Sequence, residues 1–205
     1  MKKIYALIVF LACFSLFNVN SSAQAPNTWT QKANFGGSFS QYSVGFSIGT
    51  RGYIGTGQIG SYYYSNGFWE YDPSADTWTQ KANFGGVARN YAAGFSIGNK
   101  GYIGTGSTIS GYTNDFWEYD PSANTWTQKA NFGGTARTEA AGFSIGTKGY
   151  IGTGWDGNSK NDFWEYDPSA NTWTQKANFG GTAREGSAGF GIGAKGYIGT
   201  VGMEI

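Results

Sequence analysis

The 205 residues include no histidine and one cysteine, Cys13. Without imidazole or a second thiol there is no zinc site of the His/Cys kind, no histidine-based triad and no histidine acid–base pair. Proline is scarce at 4 residues, and charge is sparse at 13 %, with 14 basic side chains against 13 acidic ones. So balanced a charge lacks the basic footprint that tracks phosphates, which excludes nucleic acid as a partner. A membrane span is missing too. The longest apolar run, Ile4–Phe17, covers 14 residues, where a spanning helix needs about 20. After it, no stretch keeps a helical period for more than one turn, and 34 glycines argue against helices.

What is present at the start reads as an export signal. Lys2 and Lys3 precede the apolar run, polar Asn18–Ser22 follows it, and small residues stand at Ser21, Ala23 and Ala25. These are the parts of a secretory signal peptide. Residues 1–23 are therefore expected to be removed, with cleavage after Ala23 or Ala25, the former preferred because Pro26 directly follows the latter. Residues 24–205 would then be secreted, periplasmic or at the cell surface. Leu11-Ala12-Cys13 resembles a lipidation box only loosely, and apolar Phe14–Phe17 would make an odd linker, so Cys13 reads as part of the signal and not as a lipid anchor. The mature chain then has 12 basic and 13 acidic residues and no cysteine, so burial and hydrogen bonds must hold it together without disulfides.

The rest is repetitive. "TWTQKANFGG" starts at Thr28, Thr77, Thr125 and Thr172, in steps of 49, 48 and 47 residues, and the 22 residues Phe116–Arg137 recur letter for letter at Phe163–Arg184. "FWEYDP" starts at Phe68, Phe116 and Phe163, and "GYIGT" at Gly52, Gly101, Gly149 and Gly196. Within a unit every local signal is β. "AGFSIG" and "KGYIGTG" flank a glycine-containing tight turn, "FWEYD" alternates sides, Asp-Pro-Ser-Ala-Asn is a strong turn, and "TWTQKA" is a fourth strand. A single four-stranded sheet cannot bury its own faces, so such units must stack. Repeats of this length with four strands each predict an all-β propeller of four-stranded antiparallel blades.

These residues resemble the kelch repeat, the blade of the galactose oxidase central domain and of many propellers. The family's Tyr-Asp turn followed by a spaced Trp is matched by Tyr71-Asp72 with Trp78, Tyr119-Asp120 with Trp126, and Tyr166-Asp167 with Trp173. An arginine precedes the first strand at Arg89, Arg137 and Arg184. Where the family has a Gly-Gly pair, this chain has Gly-Thr-Gly, at Gly104-Thr105-Gly106 and Gly152-Thr153-Gly154. The resemblance spans Asn27 to about Gly202. It implies blades at about 39–81, 88–129 and 136–176, with a partial blade at 187–200 and a lone fourth strand at 28–32. No third strand follows Gly202, so three arrangements stay open: a truncated copy of a longer array, an imperfect closure, or completion by another chain through an open strand edge. Galactose oxidase's copper chemistry does not carry over to a chain without histidine, and the sequence implies no metal or other cofactor.

Residues that recur in every blade read as frame. Glu70, Glu118 and Glu165, with Asp72, Asp120 and Asp167, are expected in turns and between blades. Trp78, Trp126 and Trp173 are expected as packing, each worth roughly 2–3 kcal/mol of burial. The repeats differ in two loop sets that share one face: Gln58–Gly67, Ser107–Asn114 and Trp155–Asn161, and the segments from Ser38, Val87, Thr135 and Thr182. That face offers Tyr62, Tyr63, Tyr64, Tyr91, Tyr112 and Trp155 beside Arg89, Arg137, Arg184, Glu139 and Glu185, aromatic and charged groups suited to a carbohydrate or a protein surface, although for the three arginines a structural role packing the channel mouth is expected ahead of ligand contact. The expected function is an exported, non-catalytic binding module for a glycan or protein ligand. Two alternatives stand beside it: a sugar-modifying enzyme built on a carboxylate such as Glu139 or Glu185, and a surface or assembly protein that self-associates through its open edge.

Overall fold

The computed structural model describes residues 27–38, 41–61 and 63–199. The expected signal peptide and both of its cleavage points lie outside them, as does Tyr62. No helix among the described residues is long and apolar enough to cross a membrane.

Three antiparallel sheets of four strands follow one another along the chain. The first holds Val44–Ile48, Arg51–Gly55, Phe68–Asp72 and Thr77–Gln80. The second holds Ala93–Ile97, Lys100–Gly104, Phe116–Asp120 and Thr125–Lys129. The third holds Ala141–Ile145, Lys148–Gly152, Phe163–Asp167 and Thr172–Lys176. A fourth unit contributes the pair Ala188–Ile192 and Lys195–Gly199. The register is the same in every blade: Phe46 faces Tyr53, Phe95 faces Tyr102, Phe143 faces Tyr150 and Phe190 faces Tyr197. The first strands of successive blades lie side by side. No strand pairing joins the first unit to the fourth among the described residues.

The core is a set of seams between blades. Phe68 meets the edges of Tyr119 and Trp126 of the next blade at 4.8 and 4.9 Å, and Phe116 meets Tyr166 and Trp173 at the same spacings. The indole N–H of Trp126 donates to the Ala82 carbonyl, and that of Trp173 to Ala130, so each tryptophan buries its ring and satisfies its one donor on the preceding linker. Asn124 and Asn171 close the Asp-Pro turns with positive φ. Their side-chain oxygens accept from Tyr119 and Tyr166, and from the backbone N–H of Ala82 and Ala130 across the seam. Asp76 does the same for the first blade, accepting from Tyr71 and Ala33, while Trp78 donates to Ala33. Asp72, Asp120 and Asp167 accept from Ser74, Ser122 and Ser169 within the turn and pair with Arg51, Lys100 and Lys148.

Close approach also fixes where side chains are forbidden. A Cβ at Gly149 would lie 2.3 Å from the Phe95 ring of the preceding blade. The Gly-Thr-Gly variant is a backbone feature: Thr56, Thr105 and Thr153 hold φ of 58°, 60° and 60°, a conformation β-branched residues rarely take. All three are buried, and the Thr105 and Thr153 carbonyls are fixed by arginine donors described below.

One expectation fails. Thr28–Lys32 forms no strand, and the ring of Trp29 is fully exposed. The sequence "TWTQK" is extended elsewhere because "FWEYD" takes its hydrogen bonds. A strand exists only through such a partner, and no strand ladder among the described residues includes Thr28–Lys32. The next residues do follow the repeat, with Phe35 meeting Trp78 edge-on at 5.0 Å.

Candidate functional site

The two variable loop sets meet on one face. Short bridges join them in pairs: Gln41 to Gln58, Asn90 to Ser107, Thr138 to Trp155 and Lys160 to Arg184. The position seven residues after the linker phenylalanine is Tyr42, Tyr91, Glu139 and Gly186 in turn, and all four adopt positive φ between 52° and 65°. Their backbones are linked in series: the N–H of Tyr91 donates to Tyr42, that of Glu139 to Tyr91 and that of Gly186 to Glu139. These four, with Ser43, Ala92, Ala140 and Ser187, line a cleft of about 250 Å³ where four successive repeats converge.

Inside it the Tyr42 and Tyr91 rings stack at 4.0 Å with 20° between their planes. Burial pushes the Tyr91 phenol up, helped by its hydrogen bond with Tyr42 and by the charges of Tyr42 and Glu139. Burial also raises the Glu139 carboxyl, and the Glu185 carboxylate raises it further. No side-chain hydrogen bond or ion pair reaches the Glu139 carboxylate among the described residues. Glu185 accepts from the Ser159 hydroxyl.

The arginines need correcting. Arg89 is 0 % exposed and Arg137 1 % exposed, so neither can meet a ligand. Each makes a two-pronged ion pair, Arg89 with Asp115 at 2.5 and 2.7 Å and Arg137 with Asp162 at 2.6 and 2.8 Å. Each guanidinium also donates to a carbonyl of the Gly-Thr-Gly segment, Thr105 or Thr153, and lies over the linker ring of Phe84 or Phe132. Burial alone would raise the Asp115 and Asp162 carboxyls, but the arginine bonds and charge hold both below the ordinary carboxylate value. Asp115 and Asp162 further accept from Trp117 and Trp164. In the first repeat the equivalent positions are Ser40 and Gly67. There a cavity of about 240 Å³, lined among others by Phe35, Thr56, Gly67 and Trp69, stands in the corresponding place. Arg184 repeats the stacking, over Phe179, and donates to Thr182.

Of the remaining predicted residues, Tyr91 and Glu139 line the cleft, while Tyr63, Tyr64, Tyr112 and Trp155 do not. Tyr63 and Tyr64 sit in a two-residue ribbon against Gln58–Ile59, with Tyr63 75 % exposed. Tyr112 is exposed on the matching ribbon, and Trp155 is half-buried beside Thr138. Tyr42 was missed by sequence reasoning, although its position varies from repeat to repeat just where the cleft forms. Among the described residues no three His, Cys, Asp or Glu side chains converge as a metal site.

The profile of the KLHDC2/KLHL20/DRC7 Kelch-repeats domain matches residues 14–198. No curated protein matches the sequence. The solved structure of YjhT is similar to this one with a TM-score of 0.70 at 16 % identity, covering 82 % of this chain and 61 % of that one. At that identity the likeness concerns the fold alone, and this chain spans about three-fifths of the length of YjhT. Four-stranded blades with Tyr-Asp turns and tryptophan seams, matched over nearly the whole sequence, lead to one conclusion: the chain belongs to the Kelch-repeat family.

Proposed function

We propose that the chain is an exported, non-catalytic binding module that takes a carbohydrate or a protein group on its variable face. One observation carries this reading: the stacked Tyr42–Tyr91 pair and Glu139 line a cleft at the position where the repeats differ, above blades whose frame is constant. Flat aromatic rings beside a carboxylate offer a stacking surface and a polar anchor. Glycan-array binding followed by affinity electrophoresis tests it. Tyr91→Ala is expected to lose at least about tenfold in retention, the loss of roughly one well-placed aromatic contact. Retention unchanged by Tyr42→Ala and Tyr91→Ala would remove the cleft from consideration, leaving Tyr63→Ala and Trp155→Ala to probe the outer ribbons. Export is checked by sequencing the N-terminus of the secreted protein, expected at Gln24 or Pro26.

The enzyme reading draws on the same Glu139, whose raised carboxyl is the kind of group that acid–base chemistry uses. Turnover of a bound sugar, abolished by Glu139→Gln with binding retained, would decide for it.

Self-association has its own support. Phe163 occupies the place of Phe68 and Phe116, yet it lines an apolar cavity of about 280 Å³ with Phe143, Tyr150 and Phe179. The strands that cover the equivalent phenylalanines read "TWTQK", the sequence of Thr28–Lys32, which forms no strand and carries exposed Trp29. We propose that a second copy supplies that strand. Light scattering should then show mass rising with concentration, and Trp29→Ala should abolish the rise. A monomer at every concentration refutes it.

A further inference from the structure

We propose that the Tyr42–Tyr91–Glu139 cleft selects ligands that present an ammonium group, carried by an amino sugar or by a lysine side chain. The inference rests on the binding reading above and adds the charge of the ligand. It follows from an inventory of charge on this face. Arg89 and Arg137 are buried and neutralised by Asp115 and Asp162. Lys160 is paired with Asp156 at 2.8 Å. Arg184 stacks on Phe179 and donates to Thr182, forming no ion pair among the described residues. That leaves Glu139 in the cleft with no cationic partner among the described residues, and the charge that acts on it is the like charge of Glu185.

A half-buried carboxylate without a donor is costly to keep ionised: it either takes up a proton or is stabilised by a cation that something else supplies. The aromatic pair points the same way, since the face of a tyrosine ring attracts a cation through its quadrupole. Tyr42 keeps 46 % of its surface exposed, so a face of the stack is open to a ligand. An acidic ligand is disfavoured, because it would meet Glu139 and Glu185 with no accessible cation in the cleft lining. A neutral sugar would use the tyrosines and leave the carboxylate with hydroxyl donors only. An ammonium uses both at once: an N–H donates to Glu139 while the positive charge rests near the rings.

The test is calorimetric titration of the full secreted chain at near-neutral pH, where the lysine amine and a share of the sugar amines carry protons and a raised carboxyl is more fully ionised than in acid. The probes are glucosamine oligomers, the same oligomers N-acetylated, and a capped Gly-Lys-Gly peptide. The deacetylated sugar is expected to bind at least about tenfold more tightly than its acetylated form, through one added charge contact, and Glu139→Gln is expected to erase the difference. If Glu139→Gln fails to fold, competition on the unaltered chain replaces it: ethylammonium should displace the bound oligomer where equal sodium does not. Equal or tighter binding of the acetylated sugar overturns the ammonium inference and leaves the carbohydrate reading standing. Binding of the lysine peptide alone, lost in Glu139→Gln, supports the inference and identifies protein as the source. Binding of none of the three overturns both.

Discussion

Replacing Asp162 by Asn tests whether the buried arginines hold the blades. The change is nearly isosteric, so it isolates charge and donor count. Asp162 accepts from both Nη atoms of Arg137 and from the Trp164 indole. An amide can present only one oxygen there and turns an NH₂ toward another donor. Arg137, at 1 % exposure, then keeps its full charge without a counter-ion. Breaking one side of a buried ion pair costs about 3–5 kcal/mol, and the 22 % exposure of the Asp162 side chain favours the low end. At roughly 2–4 °C per kcal/mol for a chain of this size, about 3 kcal/mol lowers Tm by some 6–12 °C. Thermal melts followed by circular dichroism and tryptophan fluorescence give the number. The double variant Arg137→Ser/Asp162→Gly copies the first repeat, which has Ser40 and Gly67 at these places. It should be clearly less destabilised than the two single changes summed, because it strands no charge. The pH dependence has a fixed sign. The Asp162 carboxyl titrates lower in the fold than in the unfolded chain, so its contribution is present above about pH 4 and fades as pH falls below it. The gap between wild type and Asp162→Asn should therefore narrow in acid. A Tm change under about 2 °C, or strict additivity in the double variant, would refute the reasoning.

Other outcomes follow from the seams. Gly149→Ala sets a methyl 2.3 Å from the Phe95 ring and should cost about 1–3 kcal/mol by urea denaturation, whereas Gly146→Ala, in open space at φ 57°, should cost about 1 kcal/mol. Asn124→Ala removes a residue at positive φ and the acceptor for Tyr119 and Ala82; a loss of about 1–2 kcal/mol is expected, with Asn124→Gly recovering the conformational part only. The Tyr150 phenol, pushed up to about 12 by burial and by its hydrogen bond to Glu165, should ionise late in an ultraviolet titration and earlier in Glu165→Gln. The unfolded chain releases that proton first, so stability should fall as pH rises past about 10.

The blades were legible in the sequence because their determinants are local and repeated. "FWEYDPSANTW" states a strand, a turn and a strand in eleven letters, and its two copies with the near-copy "FWEYDPSADTW" place the sheets. The cleft was half legible. Tyr91 and Glu139 stood out as differences between repeats, but Tyr42 belongs to the same position and is recognised only when the four loops are superposed. As binding candidates the arginines misled, because a variable loop suggests exposure, whereas the carboxylates of Arg89 and Arg137 lie 26 and 25 residues onward, just before "FWEYD". The pairing has a sequence trace all the same: Arg89 occurs with Asp115 and Arg137 with Asp162, while Ser40 occurs with Gly67. Thr28–Lys32 shows the opposite limit, where a strand sequence does not by itself provide a partner edge.

The seams have a consequence for how the chain finds its order. Trp126 reaches Ala82 and Trp173 reaches Ala130, across 44 and 43 residues, through the same atoms and nearly the same letters. Such a joint carries no address. Any blade presents the socket that any other blade's tryptophan strand fits, so the contacts alone cannot tell a neighbour from a more distant copy or from another molecule. Order must come from tethering: the next strand in the chain arrives at high local concentration before a stranger does. Crowding many nascent chains together would weaken that advantage, and exchange of blades between molecules is the error this architecture invites.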